Sequence, residues 1–196
     1  DTIQRDIVRP MPIDPHSPAH GLPQSKRLLQ RRWPLLALAI WLLATLGFRP
    51  LMLPDEGRYV EVAREMLLGD GWLPTLFGLP FFHKPPLMYW AIAGASRLFN
   101  GSVVNEWTAA LPSALAGALA CAMVAALGAR FWGRGAGLLA AAMLATCFGF
   151  FKWGRTAQLE MSLTATVTLA VGCFILWDQQ PRKLWLLFAA HAFAAL

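Results

Sequence analysis

Apolar side chains fill five stretches of the chain, about 33–53, 107–129, 135–151, 159–177 and 184–196. Roughly 20 apolar residues in helical form cross the hydrocarbon layer of a bilayer, so each stretch is predicted as a membrane-spanning helix, the last one truncated. The sequence stops inside that apolar run, and the expectation is an N-terminal piece of a longer protein. The connectors 130–134, 152–158 and 178–183, the last with Pro181, are brief, so consecutive spans should form helical hairpins.

Residues 54–106 break this pattern. Tyr59, Val62, Ala63 and Met66 recur at helical spacing while Glu61, Arg64 and Glu65 point elsewhere, which predicts an amphipathic helix over 56–68, closed by Gly69 and lying along the membrane surface. Met88, Ile92, Ala95 and Phe99 repeat the spacing over 87–99, with Tyr89 and Trp90 as interface anchors and Asn100-Gly101 as the stop. The fold class is therefore all-α: a polytopic transmembrane helix bundle with two amphipathic surface helices in the first outer loop. Residues 1–32 carry Pro10, Pro12, Pro15, Pro18 and Pro23 among polar residues, a composition that resists helix and strand and predicts a disordered basic tail. The run 33–53 is too long for the core of a signal peptide and reads as an uncleaved span.

Composition agrees with a lipid solvent. Of the 196 residues 57% are hydrophobic and 14% charged, with a mean hydropathy of +0.47, more apolar side chain than a water-soluble domain of this size buries. Cys121, Cys147 and Cys173 lie in apolar stretches without metal-ligand spacing and are expected to be small core residues. Gly133, Gly137 and the alanine-rich stretches supply small faces on which helices can approach closely.

The net charge of +6 changes the picture only through its distribution. The basic residues form no stripe or nucleic-acid motif, so nucleic acid is excluded as a partner. Arg5, Arg9, Lys26, Arg27, Arg31, Arg32, Arg130, Arg134, Arg182 and Lys183 fall on one side of the predicted spans. Arg49, Arg58, Arg64, Lys84, Arg97, Lys152 and Arg155 fall on the other, where Asp55, Glu56, Glu61, Glu65, Asp70, Glu106 and Glu160 cancel them. Basic loops stay in the cytoplasm, so the N-terminal tail is predicted cytoplasmic and the 54–106 loop outside.

That loop carries the candidate chemistry. Asp55, at the start of the first surface helix, suits an N-cap, or a carboxylate at the membrane boundary acting as general base or binding a cation. Lys84, in Phe81-Phe82-His83-Lys84-Pro85-Pro86, is an ammonium between aromatic residues and a fixed proline backbone. It suits a phosphate at headgroup level, or snorkels among ordinary phospholipids. His83 beside it is a metal-ligand candidate or an interfacial residue. In the second outer loop Lys152-Trp153-Gly154-Arg155 precedes Glu160, an ionisable residue at a span boundary that is a site candidate or a hydrated cap, with Arg155 as a possible pair.

Pro54-Asp55-Glu56-Gly57-Arg58-Tyr59 followed by Phe82-His83-Lys84-Pro85-Pro86-Leu87 resembles the polyprenyl-phosphate-dependent C-type glycosyltransferases, in the bacterial branch of the aminoarabinose transferases of lipid A and the protein O-mannosyltransferases. The resemblance covers about 33–196. It implies a sugar transferase of the bacterial inner membrane that takes its sugar from a polyprenyl phosphate and delivers it to a lipid or protein acceptor. By the same resemblance Asp55 matches the catalytic aspartate, Glu160 a second acid, and Arg58 and Lys84 the residues that contact the donor phosphate; Tyr59 and Arg155 are further substrate-binding candidates. Two positions depart from the family pattern: His83 stands where Glu is usual, which leaves a divalent metal contact open, and Ala110 stands where relatives commonly carry Arg. A multi-spanning transporter or channel subunit is the competing class. Its ionisable residues would sit at mid-membrane rather than at the boundaries, where they cluster in this chain. The 196 residues alone are expected to be inactive.

Overall fold

The computed structural model describes residues 34, 36–37, 40–44, 46–52, 54–69 and 72–195. The predicted tail 1–32 and Asp70 lie outside the described residues.

Among the described residues the elements run α1 (Asp55–Leu68), a hairpin of β1 (Thr75–Leu76) and β2 (Leu79–Pro80), α2 (Leu87–Phe99), α3 (Glu106–Trp132), α4 (Arg134–Thr146), α5 (Phe148–Trp153), α6 (Leu159–Gln179) and α7 (Leu184–Ala195). Residues 40–43, in the first apolar stretch, are also helical. The chain is a transmembrane helix bundle with two amphipathic helices across one end. At 1.5 Å per residue, α3 spans roughly 40 Å and α6 roughly 30 Å, enough to cross a bilayer. Both are apolar enough to do so. Leu163, Val167, Val171 and Phe174 expose one face of α6, as a lipid-facing helix requires.

α3 opens on a capping box: the Asn105 side chain accepts from the Thr108 amide at 2.8 Å, and Thr108 Oγ1 accepts from the Asn105 amide at 3.0 Å. Thr108 Oγ1 also accepts from buried Ser96 Oγ at 2.9 Å, which ties the end of α2 to the start of α3. α3 then packs along α4 and α6, and α6 along α7. The α3–α4 crossing is tight because it is lined by small residues. A Cβ on Gly128 would come 2.7 Å from Gly137 Cα, and one on Gly137 would strike the backbone of Ala125 and Ala129. Gly137 thus serves the predicted small-residue contact, but its partner is Gly128; Gly133 instead forms the α3–α4 joint at φ +88°. We expect Gly137→Val to destabilise the bundle by about 1–3 kcal/mol, because backbone cannot yield as a side chain can. A fall in the melting temperature of the detergent-solubilised full-length protein checks this.

The predicted span 135–151 is not one helix. α4 ends at Thr146, whose Oγ1 turns back onto the Ala142 carbonyl at 2.8 Å. Cys147 is extended at φ −60°, ψ 127°, and α5 restarts at Phe148. Cys147 is therefore exposed at a helix break and is not a core residue, whereas Cys121 and Cys173 are buried as expected.

Both surface helices form at the predicted places. α1 buries Tyr59, Val62, Ala63 and Met66, and also Glu56. α2 buries Met88, Tyr89, Ile92, Ala95 and Ser96. Two assignments change here: Phe99 is 64% exposed, stacked edge-on against Trp107 at 5.5 Å, and Tyr89, taken as an interface anchor, is fully buried. The two helices share a core with Phe81, with Ala109 of α3 and with Ala157 of the second loop, which seats them on the end of the bundle. Between them the hairpin pairs Thr75 with Pro80 and Leu76 with Leu79. Its Phe77-Gly78 turn has positive φ at both residues and is held by Glu65 of α1, which accepts the Phe77 amide at 2.6 Å and the Gly78 amide at 3.2 Å.

Candidate active site

Asp55 is the first residue of α1, and Pro54 is the cap, without a side-chain cap bond. The N-cap reading of Asp55 is thereby overturned: its carboxylate does not close the helix start and stands 3.9 Å from the Arg58 guanidinium one turn on. Both side chains are about half exposed, so the pair adds little stability and keeps both charges accessible.

Tyr59, on the next position of α1, reports what else converges there. Its phenol is held above the usual tyrosine range first by burial, then by the charges of Asp55 and Glu160, with Arg58 acting the other way. The charges of two acids from distant parts of the sequence therefore act on one phenol. Tyr89 packs against Tyr59 at 5.8 Å between ring centroids. Its phenol is pushed up to about 12, by burial and then by Tyr59. Both phenols remain protonated at neutral pH and are donors.

Lys84 and Glu160 line one cavity of about 210 Å³ with Pro85, Leu87, Met88 and Leu163. Lys84 reaches it because Pro85 and Pro86 lead the chain straight into α2, and Glu160 because it lies in the first turn of α6. The other walls are mainly apolar, with Ser162 and Thr166 of α6 among them. Asp55, Arg58, Tyr59, Lys84 and Glu160 thus gather at one end of the bundle.

Arg155 is not part of this cavity. It lines a separate one of about 300 Å³ with Arg49, Glu56, Glu106, Ala110 and Lys152, its guanidinium 4.6 Å over the Phe151 ring. Burial lowers its affinity for its proton. Arg155 and Glu160 thus line different cavities. Ala110, the departure from the family pattern, leaves room in the larger cavity, and the guanidinium beside Glu56 comes from Arg49.

His83 is exposed and stacked flat on Phe81 at 5.0 Å. Among the described residues no three of His, Cys, Asp and Glu come together to hold a metal ion.

Sequence reasoning missed Glu56, counted only as one of several acids. It is 3% exposed and accepts from Arg49 Nη2 at 2.5 and 2.6 Å, from the Met52 amide at 2.7 Å and from the Ala157 amide at 3.2 Å. The signal was present in its phase, since Glu56 lies on the same helical stripe as Tyr59, Ala63 and Met66. An acid on an apolar stripe is buried and needs partners.

The profile of the dolichyl-phosphate-mannose-protein mannosyltransferase family matches residues 83–196. The chain belongs to this family. Within the wider C-type glycosyltransferases its likeness is to the aminoarabinose transferase branch. It is 35% identical over 147 residues to an undecaprenyl phosphate-alpha-4-amino-4-deoxy-L-arabinose arabinosyl transferase of Sodalis glossinidius, covering 74% of this chain and 26% of that protein. The transferase of the same name from Pseudomonas aeruginosa is 31% identical, covering 78% of this chain and 28% of that one. Among solved structures, ArnT from Cupriavidus metallidurans bound to undecaprenyl phosphate superposes with a TM-score of 0.72 at 27% identity, over 83% of this chain and 31% of that one. Its apo form gives 0.70 at 24% identity, a likeness of fold. The chain thus spans about a quarter to a third of the family members it matches. It is an integral membrane protein like them.

Proposed function

We propose that the full-length protein is a membrane glycosyltransferase that moves a sugar from a polyprenyl-phosphate donor to a lipid A-like lipid or a protein acceptor on the outer face of the bacterial inner membrane. The N-terminal tail would lie in the cytoplasm, and the chain would cross the membrane several times, with α1 and α2 outside. The observation that carries the reading is the cavity that Lys84 and Glu160 share. An ammonium at the mouth of an apolar groove along α6 suits a phosphate whose isoprenoid chain runs into the bilayer.

In this reading Lys84 and Arg58 hold the donor phosphate and stabilise the charge that grows on it as the glycosidic bond to phosphate breaks. Asp55, half exposed beside Arg58, takes or orients the acceptor proton. Tyr59 donates to the donor, Glu160 assists as the second acid, and Arg155 contacts substrate from the adjoining cavity. The membrane's own lipids supply the surface on which α1 and α2 rest.

The test is transfer by the full-length protein in liposomes, with labelled undecaprenyl phosphate 4-amino-4-deoxy-L-arabinose as donor and lipid A as acceptor. Label appearing in lipid A with release of undecaprenyl phosphate is the expected result. Movement of the sugar across the bilayer without transfer would instead favour a transporter.

A further inference from the structure

Glu56 and Asp55 are adjacent on α1 but face different ways, because successive helical residues are turned by about 100°. Asp55 is half exposed beside Arg58, and Glu56 is buried. We propose that Glu56 is a positioning residue: its buried carboxylate sets the spacing between Asp55 and Glu160 by joining residues 49–52, α1 and the second loop. The proposal rests on the reading of Asp55 and Glu160 as the acids of the site.

Its four contacts divide by segment. Arg49 and the Met52 amide belong to the stretch that leaves the first apolar helix, and Glu56 belongs to α1. The Ala157 amide belongs to the second loop, 101 residues away. Ala157 is fully buried and lies three residues before Glu160, so holding its amide holds the start of α6. A weaker contact between α6 and α2, Ser162 Oγ on Met88 Sδ at 3.5 Å, accompanies this one.

Hydrogen bonds to a carboxylate are shorter and stronger than neutral ones, and they hold one geometry. Glutamine presents one carbonyl oxygen and an amide that only donates, so it cannot accept from Arg49 and both backbone amides at once. Aspartate keeps the charge but ends one methylene short. Either change frees α1 to shift against α6, and the two acids lose their common distance. Catalytic groups misplaced by about 1 Å lose on the order of 10²-fold in rate.

The experiment uses the full-length protein in nanodiscs and has two arms. In the first, spin labels at Arg64→Cys and Thr164→Cys, with the native cysteines replaced, report the distance from α1 to α6 without any substrate. A narrow distribution is expected for the parent, and one broadened or displaced by several ångströms for Glu56→Gln. In the second, the same variant is assayed with undecaprenyl phosphate 4-amino-4-deoxy-L-arabinose and lipid A. The expected loss is roughly 10–100-fold in kcat, with the donor KM within about twofold, measured per folded molecule. Arg49→Lys, a milder change, should give a smaller loss of the same kind if Glu56→Gln folds poorly. A role in stability alone would lower the folded fraction and leave kcat intact. An unchanged distance distribution overturns the proposal, and so does full turnover by folded Glu56→Gln while Asp55→Asn is inactive. Full turnover by Asp55→Asn overturns the reading of the site itself, and the positioning role with it.

Discussion

Asp55→Asn in the full-length protein is expected to lose about 10²–10⁴-fold in kcat, the range that a positioned proton-transfer group contributes. Asn keeps the size of the side chain and one acceptor oxygen and removes only the negative charge and the basic site. The structure predicts that the fold will not notice. Asp55 makes no cap bond, is half exposed, and pairs with Arg58 at 3.9 Å, a separation that in water is worth well under about 1 kcal/mol. The donor KM should stay within about twofold, because the proposed site gives the phosphate to Lys84 and Arg58, not to Asp55. Single-turnover kinetics, with a melting curve run on the same sample, check both halves. Full activity in a folded Asp55→Asn protein would remove Asp55 from the chemistry.

The surface helices were legible because amphipathic periodicity is a local signal. Tyr59, Val62, Ala63 and Met66 fix the face of α1, and the structure buries those four. Tyr89 and Phe99 were misjudged for the opposite reason. Whether an aromatic residue faces lipid or core depends on what packs over it, and Tyr89 is covered by Tyr59 and Phe81, which sequence spacing does not bring together. The interruption at Cys147 was hidden because hydropathy continues evenly from α4 into α5 while the backbone ladder breaks.

The candidate site was legible as separate residues and not as a grouping. Asp55, Arg58 and Tyr59 stand together on α1, so their association follows from one helix. Lys84 and Glu160 lie 76 positions apart, and only the folding of α6 under α2 gives them a common cavity. Arg155 and Glu160 are close in sequence, yet they line different cavities. Glu56 was overlooked for a related reason: its partners at Arg49 and Ala157 are contributed by segments before and far beyond it.

Lys84→Gln is expected to weaken binding of undecaprenyl phosphate about 10- to 100-fold, since a hydrogen bond to a charged group is worth about 1.5–3 kcal/mol. Lys84→Arg should recover part of that loss, because the charge is kept while the compact ammonium is replaced by a planar fork that the proline-bounded approach does not seat as well. Glu160→Gln offers the opposite sign in the same cavity. Glu160 shares the lining with Lys84, so its charge repels a phosphate there, and its removal should tighten undecaprenyl phosphate binding several-fold while transfer falls. Raising salt should weaken binding by the parent and by Glu160→Gln, and change Lys84→Gln least, since screening acts on the charge that Lys84 supplies. Binding titrations of the three full-length variants at two ionic strengths measure this. If Lys84→Gln and Glu160→Gln shift affinity in the same direction, the cavity is not holding the phosphate and the groove along α6 has another occupant.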